Sequence, residues 1–228
     1  MPTPTTPLHL AIIPDGNRRW AKLRNLLPWD GHRQAVEGFR TIIDWCRADP
    51  RVGTLTLWCF STENWKRDPK EVAELMRLFE EFLDREGPHL VRDDIRLVHA
   101  GRQDRLPQTL REKLQARCAE SAACTGLTLQ LALDYGGRDE LVRTAAKLAA
   151  AGEEVTETSF QVHLDQPTVP DIDLVIRTSG EQRSSGFFPW QTAYAEWFYL
   201  DLHFPSLTTN DLAQVLDDFE RRQRRFGK

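Results

Sequence analysis

The sequence predicts an α/β protein: a single domain with a central, mostly parallel six-stranded sheet flanked by helices. Three observations carry this expectation. The chain has 228 residues, enough for one sizeable core. Short runs that are apolar nearly throughout, as in strands covered on both faces, alternate with stretches of helical spacing. No internal repeat, low-complexity block or interdomain linker breaks that alternation, which argues for a parallel sheet.

The elements follow in order. Met1–Pro7 is rich in Pro and Thr and reads as a frayed tail, without the basic start and apolar stretch of a signal peptide. Strand-like runs occupy Leu8–Ile13, Thr54–Phe60, Ile95–Ala100, Leu127–Leu133 and Ile172–Ile176, with a weaker one at Trp197–Leu200. Between them, four sets of residues recur at helical spacing. They are Phe39, Ile42, Ile43 and Cys46; Val72, Leu75, Met76, Phe79, Phe82 and Leu83; Leu141, Val142, Ala145, Leu148 and Ala149; and Leu212, Val215, Leu216 and Phe219. The stretch from Ala150 to Pro170 is the loosest part.

Composition narrows the function. A net charge of -4 gives no global reason to expect nucleic acid or an anionic membrane, so any anion site is built locally. Cys46, Cys59, Cys118 and Cys124 lack C-x-x-C spacing and read as core thiols of a reducing compartment. No apolar run approaches the ~20 residues of a membrane span, and the expected location is the cytoplasm.

Ligands of open α/β sheets bind beyond the carboxyl ends of the strands, and three segments there carry chemistry. The first is "PDGNRRWA". Gly16 permits a tight turn and a close approach to a ligand. A helix behind it would favour an anion, and Arg18 and Arg19 add donors suited to phosphate oxygens. Asp15 suits a hard cation such as magnesium beside a diphosphate. An N-cap Asp with solvated arginines explains the same residues. The second is "FSTENWKRDP", with Ser61, Thr62, Glu63, Asn64, Trp65 and Arg67. A capped helix start accounts for Thr62 and Asp68 but not for the grouping of Asn64, Trp65 and Arg67. The third is "DLVIRTSGEQRSSGFFPWQTAYAE". Arg177 at a strand tip, Arg183, Ser185 and the glycines form a second anion cradle, and Glu196 could return a second carboxylate to a metal. A surface ion pair between Arg177 and Glu181 is the plainer alternative. Helix Val72–Leu83 is apolar enough to line a lipid channel, although plain core explains it equally. Walker-type, G-x-G-x-x-G, H-E-x-x-H and G-x-S-x-G motifs are absent from the sequence. Asp93-Asp94 and Asp217-Asp218 do not extend to D-D-x-x-D, the metal motif of trans-type prenyl synthases.

Taken together, "HLAIIPDGNRRWA", "GHRQA", "FSTENWKR", "YGGR", "DLVIRTSGEQR" with "WQTAYAE", and "RRFG" resemble the cis-prenyltransferases, a family that includes undecaprenyl diphosphate synthase. The motifs run in the family's order from His9 to Gly227. The resemblance implies a homodimer with a hydrophobic tunnel beside the sheet. It implies magnesium-dependent condensation of isopentenyl diphosphate onto an allylic diphosphate, with Z double bonds. By position it makes Asp15 a metal-binding and catalytic acid, completed by Glu196. Gly16, Asn17, Arg18 and Arg19 would cradle the allylic diphosphate, with Trp20 in the same stretch. His32 and Arg67 lie near the diphosphates. Ser61 and Asn64 assist departure or deprotonation, with Thr62, Glu63 and Trp65 in the same substrate-binding turn. Arg177, Arg183 and Ser185 hold isopentenyl diphosphate, and Arg225 and Gly227 reach across the dimer. A peripheral membrane contact for product release is compatible with this reading; nucleic acid is not an expected partner.

Several positions depart from the family's pattern. Pro14 replaces Met, Arg18 replaces a frequent Gly, and Pro28 replaces a diphosphate-binding Arg, a loss that Arg18 would offset. Asp134 replaces Asn, Cys59 replaces a smaller residue, and Gly186 and Pro189 alter the "SNFLLWQ" pattern. These bear on substrate and product length more than on reaction class. A medium product such as undecaprenyl diphosphate is expected, with a short one such as Z,E-farnesyl diphosphate as the alternative. A non-catalytic partner subunit would lack the first-loop Asp, and a kinase or phosphohydrolase would need a nucleotide motif; neither condition is met.

Overall fold

The computed structural model describes residues 7–222. Six strands, all paired in parallel, lie in the order β3-β4-β2-β1-β5-β6. They are β1 (Leu8–Ile13), β2 (Val52–Ser61), β3 (Ile95–Ala100), β4 (Leu127–Tyr135), β5 (Leu174–Thr178) and β6 (Glu196–Leu200). The chain works outward from β1 through β2, β4 and β3, then crosses to β5 and β6 on the other side. β1 and β5 therefore flank the point where strand order reverses, the crevice in which open sheets bind ligands.

Alternation along β1 separates two cores. Leu10 and Ile12 join the larger one, under α2 (Pro28–Ala48), α3 (Pro69–Arg92) and α7 (Thr209–Arg221). Ala11 and Ile13 join the smaller one, with Val175, Ala132, Tyr135, Phe187 and Phe188. α3 runs past the expected Leu83 and carries Pro88 without breaking. α4 (Gln108–Glu120) packs beside α3, and a short helix α6 (Glu157–Val162) lies in the loose segment.

One expected buried face is not buried. On α5 (Gly137–Ala151), Gly137, Glu140, Thr144 and Leu148 face inward, whereas Val142, Ala145 and Ala149 are exposed. The polar Glu140 takes the inner side because Tyr135 Oη donates to its carboxylate at 2.6 Å and the Asp165 N–H donates at 3.1 Å.

The pairing of β2 with β4 contains two irregularities close together. Trp58 aligns with Ala132, Phe60 with Leu133 and Ser61 with Tyr135, so Cys59 is extra on β2 and Asp134 is extra on β4. Asp134 takes up its extra position at φ 53°. The two insertions cancel, and the register beyond them is that before them.

His9, at the start of β1, is buried, with Nδ1 2.8 Å from Pro170 O and Nε2 2.7 Å from Thr56 Oγ1. This arrangement suits a neutral ring, and burial pushes its pKa down to about 4. Because the unfolded chain binds this proton more readily, stability from His9 is present above about pH 6.5 and is lost as pH falls toward 4, by about 3 kcal/mol. Urea unfolding at pH 7.5 and pH 5 should show a smaller drop in His9→Gln than in the wild type.

Candidate active site

The site is built on the carboxyl ends of β1 and β5. Ile13 aligns with Arg177 across this pair, which brings the segment after β1 beside the Arg177 side chain. Asp15 is fixed by its own backbone: its N–H donates to Thr178 Oγ1 at 2.9 Å, and its carbonyl accepts from Thr178 Oγ1 at 2.7 Å and from the Phe204 N–H at 3.0 Å. Its side chain accepts from the Gly16 N–H at 2.7 Å and from Arg177 Nη2 at 2.8 Å, with Arg19 Nη2 at 3.4 Å. Burial works against this charge, but the bonds from Arg177 and Gly16 and the charges of Arg177 and Arg19 outweigh it. The carboxyl is held below its ordinary range.

Gly16 has φ 94°, and a Cβ there would stand 2.6 Å from His203 Cδ2 and 2.7 Å from Ser179 Oγ. The turn is open only to glycine. α1 (Asn17–Lys22) behind it has just six residues, so the helix dipole expected here is minor and the arginines carry the positive field. Asn17 Nδ2 donates to Pro14 O at 3.0 Å, while its Oδ1 is buried with no partner.

Arg177 is buried and is not the surface partner of Glu181. Besides Asp15 it donates from Nη1 to the Arg183 carbonyl and, at 2.9 Å, to Ser185 Oγ, and its Nε is buried without a partner. It thus ties the first and third segments together. Arg183 is exposed and pairs with Glu181, which also receives Arg19 at 3.1 Å.

The second segment forms a 3₁₀ turn, Thr62–Lys66. Ser61 Oγ accepts from the Glu63 N–H at 3.2 Å and donates to Glu63 Oε2 at 2.8 Å; Asn64 Oδ1 accepts from the Ser61 N–H at 3.0 Å. The turn packs closely on Gly136, where a Cβ would meet Thr62 Oγ1 at 2.3 Å.

These segments surround a cavity of about 220 Å³. Its polar mouth carries Asp15, Asn17, His32, Ser61, Asn64, Arg67, Arg177 and Ser185; its depth carries Ala35, Val36, Phe39, Cys59, Leu75 and Phe79. One cationic hollow at the mouth adds Gly16, Arg18 and Arg19. A second is lined by Thr62, Glu63, Gly137, Arg138, Arg183 and Ser185. Two anion cradles therefore flank an apolar shaft.

A residue missing from the sequence reading stands among the cations. Glu71 is buried, 3.1 Å from His32 Nε2, 3.1 Å from Arg67 Nη1 and 4.0 Å from Arg18 Nε. The bond from His32, against burial and with the Arg67 and Arg18 charges, holds its carboxyl below the ordinary range. Burial in turn lowers the Arg67 pKa. The signal was local: Arg67 and Glu71 stand four apart across the start of α3.

Three expected positions need correction. Glu196 does not complete the metal site of Asp15 within one chain. It opens β6 in register with Leu174, at the opposite end of the strands from Asp15, and pairs with Arg222 Nη1 at 2.6 Å. Trp20 does not line the cavity; its Nε1 donates to Ser206 Oγ at 3.1 Å, and Arg24 covers its ring. Trp65 likewise turns away, with Nε1 donating to Asp134 Oδ1 at 2.8 Å. Arg225 and Gly227 lie outside the described residues.

The donor set fits magnesium in one way. No group of three or more His, Cys, Asp or Glu among the described residues could hold a metal unaided. Magnesium, however, is commonly held by one or two carboxylates plus substrate phosphates, and Asp15 at the mouth, beside the unpartnered Asn17 Oδ1, offers that arrangement.

Comparison with known proteins agrees with this geometry. Residues 13–227 match the family described as "Putative undecaprenyl diphosphate synthase". An isoprenyl transferase of Wolinella succinogenes is 41% identical over 219 residues, covering 96% of each chain. One from Treponema pallidum is 40% identical over 224 residues, covering 96% of this chain and 98% of its own. Among solved structures, lavandulyl diphosphate synthase from Lavandula x intermedia, in complex with dimethylallyl diphosphate, superposes with a TM-score of 0.92 at 36% identity, covering 98% of this chain and 99% of that one. A probable undecaprenyl diphosphate synthase from Campylobacter jejuni gives 0.84 at 32% identity, covering 98% and 100%. With its motifs, its all-parallel sheet and these relatives in agreement, the chain belongs to the cis-prenyltransferase family and is a transferase of prenyl groups.

Proposed function

We propose that this enzyme condenses isopentenyl diphosphate with an allylic diphosphate to make a short Z-prenyl diphosphate. The observation that carries the reading is the cavity itself, cationic at its mouth and hydrocarbon in its depth, with Asp15 and Arg177 on adjacent strand ends. The allylic tail enters the shaft while Arg18, Arg19 and the Gly16–Asn17 turn hold its diphosphate. Arg183, Ser185 and the free Nε of Arg177 hold isopentenyl diphosphate alongside. Two adjacent cradles align the reacting carbons.

The allylic C–O bond breaks, the terminal alkene carbon of isopentenyl diphosphate bonds to the allylic carbon, and one proton leaves the adjacent methylene. Diphosphate departs once its charge is neutralised, a task for these arginines. Magnesium, held by Asp15 and substrate oxygens, would supply further neutralisation. Ser61, leaning on the Glu63 carboxylate, and Asn64 sit where the proton is released.

Length is set by the shaft. Along α2 the lining residues run from His32 to Phe39, and along α3 from Leu75 to Phe79, so the two phenylalanines form the floor. An apolar cavity of about 150 Å³ takes one benzene, so the whole cavity holds roughly ten carbons, several-fold short of a C55 chain. This favours the short product over the medium one expected from resemblance. Incubation with labelled isopentenyl diphosphate and C5, C10 and C15 allylic starters, followed by sizing, tests it; products of 50 or more carbons would overturn the short assignment.

The same reading includes a homodimer, for which α5 offers an exposed stripe of Val142, Ala145 and Ala149, and a reducing, cytoplasmic setting for four unpaired thiols. No helix among the described residues is long and apolar enough to cross a membrane. Arg18 is mostly exposed at the mouth, 4.0 Å from Glu71, while Pro28 serves only to start α2. Arg18→Gly should raise KM for the allylic substrate roughly tenfold, the worth of one charge-assisted contact, and leave KM for isopentenyl diphosphate unchanged. Steady-state kinetics with each substrate varied in turn checks this.

A further inference from the structure

Asp134 is fully buried, yet it is a charged residue at the end of β4 and lies outside the cavity lining. Its carboxylate collects three donors. Trp65 Nε1 reaches Oδ1 at 2.8 Å, Arg105 Nε reaches Oδ2 at 2.8 Å, and Arg105 Nη2 also bonds Oδ1. The donors come from two separate segments: the 3₁₀ turn after β2, and the loop between β3 and α4. Arg105 also stands 5.8 Å from the centre of the Trp65 ring, whose edge-on neighbour at 5.1 Å is Phe60.

Trp65 is therefore fixed by both its polar and its apolar parts, and it is the immediate neighbour of Asn64. Ser61 and Asn64 hang between two anchors, the β2 strand on one side and the Trp65 indole on the other. We propose that Asp134 is a positioning residue for the condensation: through Trp65 it holds the Ser61–Asn64 turn at the height where the reacting carbons meet. The proposal rests on the reading of that turn given above. An ionised carboxylate suits the post because it accepts all three bonds. An asparagine would present an N–H₂ group to at least one of the three donors, leaving it unpaired.

Misplacement of a reacting group by about 1 Å costs up to roughly a hundredfold in rate. Asp134→Asn should therefore lower kcat ten- to a hundredfold, with KM for isopentenyl diphosphate within about twofold, since its cradle is on the β5 side. Trp65→Phe keeps the ring and the Asp134–Arg105 pair and deletes only the indole donor; it should lower kcat similarly. In the double variant Asp134→Asn/Trp65→Phe the loss should not exceed the larger single loss, because both act through one bond.

The assay uses isopentenyl diphosphate with dimethylallyl or farnesyl diphosphate, with rates expressed per folded molecule from thermal melts. A lowered melting temperature with unchanged kcat would overturn the positioning role, as would losses that multiply in the double variant. Asn64→Ala separates the two layers of the argument. If it keeps full kcat, the reading of the turn fails and the proposal with it. If it loses kcat while Asp134→Asn does not, only the proposal fails.

Discussion

Asp15→Ala is expected to lower kcat roughly a thousandfold, the scale of losing a preorganised electrostatic group in a water-poor site. Two effects combine. The departing diphosphate loses the carboxylate that would share its magnesium. Arg177, buried beneath it, loses the anion that holds its Nη2. An uncompensated buried guanidinium costs about 3 kcal/mol or more, so the melting temperature should fall while the fold persists. Added inorganic diphosphate should restore part of that loss, because it supplies Arg177 with a replacement anion. Kinetics at saturating magnesium, alongside thermal melts with and without diphosphate, separate the two effects. Magnesium-dependent turnover at the wild-type rate in this variant would falsify the role of Asp15.

Phe79→Ala should lengthen the products. Its ring closes the shaft together with Phe39, and behind them lie Phe82 and Phe204, which pack edge-on against Phe39 at 5.9 and 5.7 Å. Truncation joins the space of the ring to the existing cavity, leaving room for about one further isoprene. The variant should shift the product distribution upward by one or two condensations and lose about 3 kcal/mol of stability. Mass spectrometry of dephosphorylated products reads the first effect and denaturant unfolding the second. An unshifted distribution would mean that the floor lies elsewhere.

The strands were legible because each is buried on both faces and therefore written as an unbroken apolar run. From the runs came the strand ends, and from the strand ends came Asp15 and Arg177, which depend only on neighbouring strands being parallel. Glu196 was misplaced because its motif names a residue type without saying which end of β6 it occupies; register with Leu174 decides that. The stripe on α5 misled for a related reason: periodicity identifies an apolar face without saying what covers it. Trp20 and Trp65 looked like ligand contacts beside charged neighbours, but an indole N–H needs a partner. Theirs are Ser206 and Asp134, 186 and 69 residues away in sequence. Cross-links of that span leave no local signal.

The paired insertions at Cys59 and Asp134 limit how the site can change through evolution or engineering. One puts a side chain on the shaft wall; the other supports the Trp65 anchor. Deleting either residue alone would slide one strand tip past its neighbour and invert the faces of everything beyond it, Ser61 included. Removing both would keep the alignment, but would take wall and anchor away together. Gradual variation is thus confined to side-chain exchange at fixed length, and a longer or shorter tip would have to arise on both strands at once.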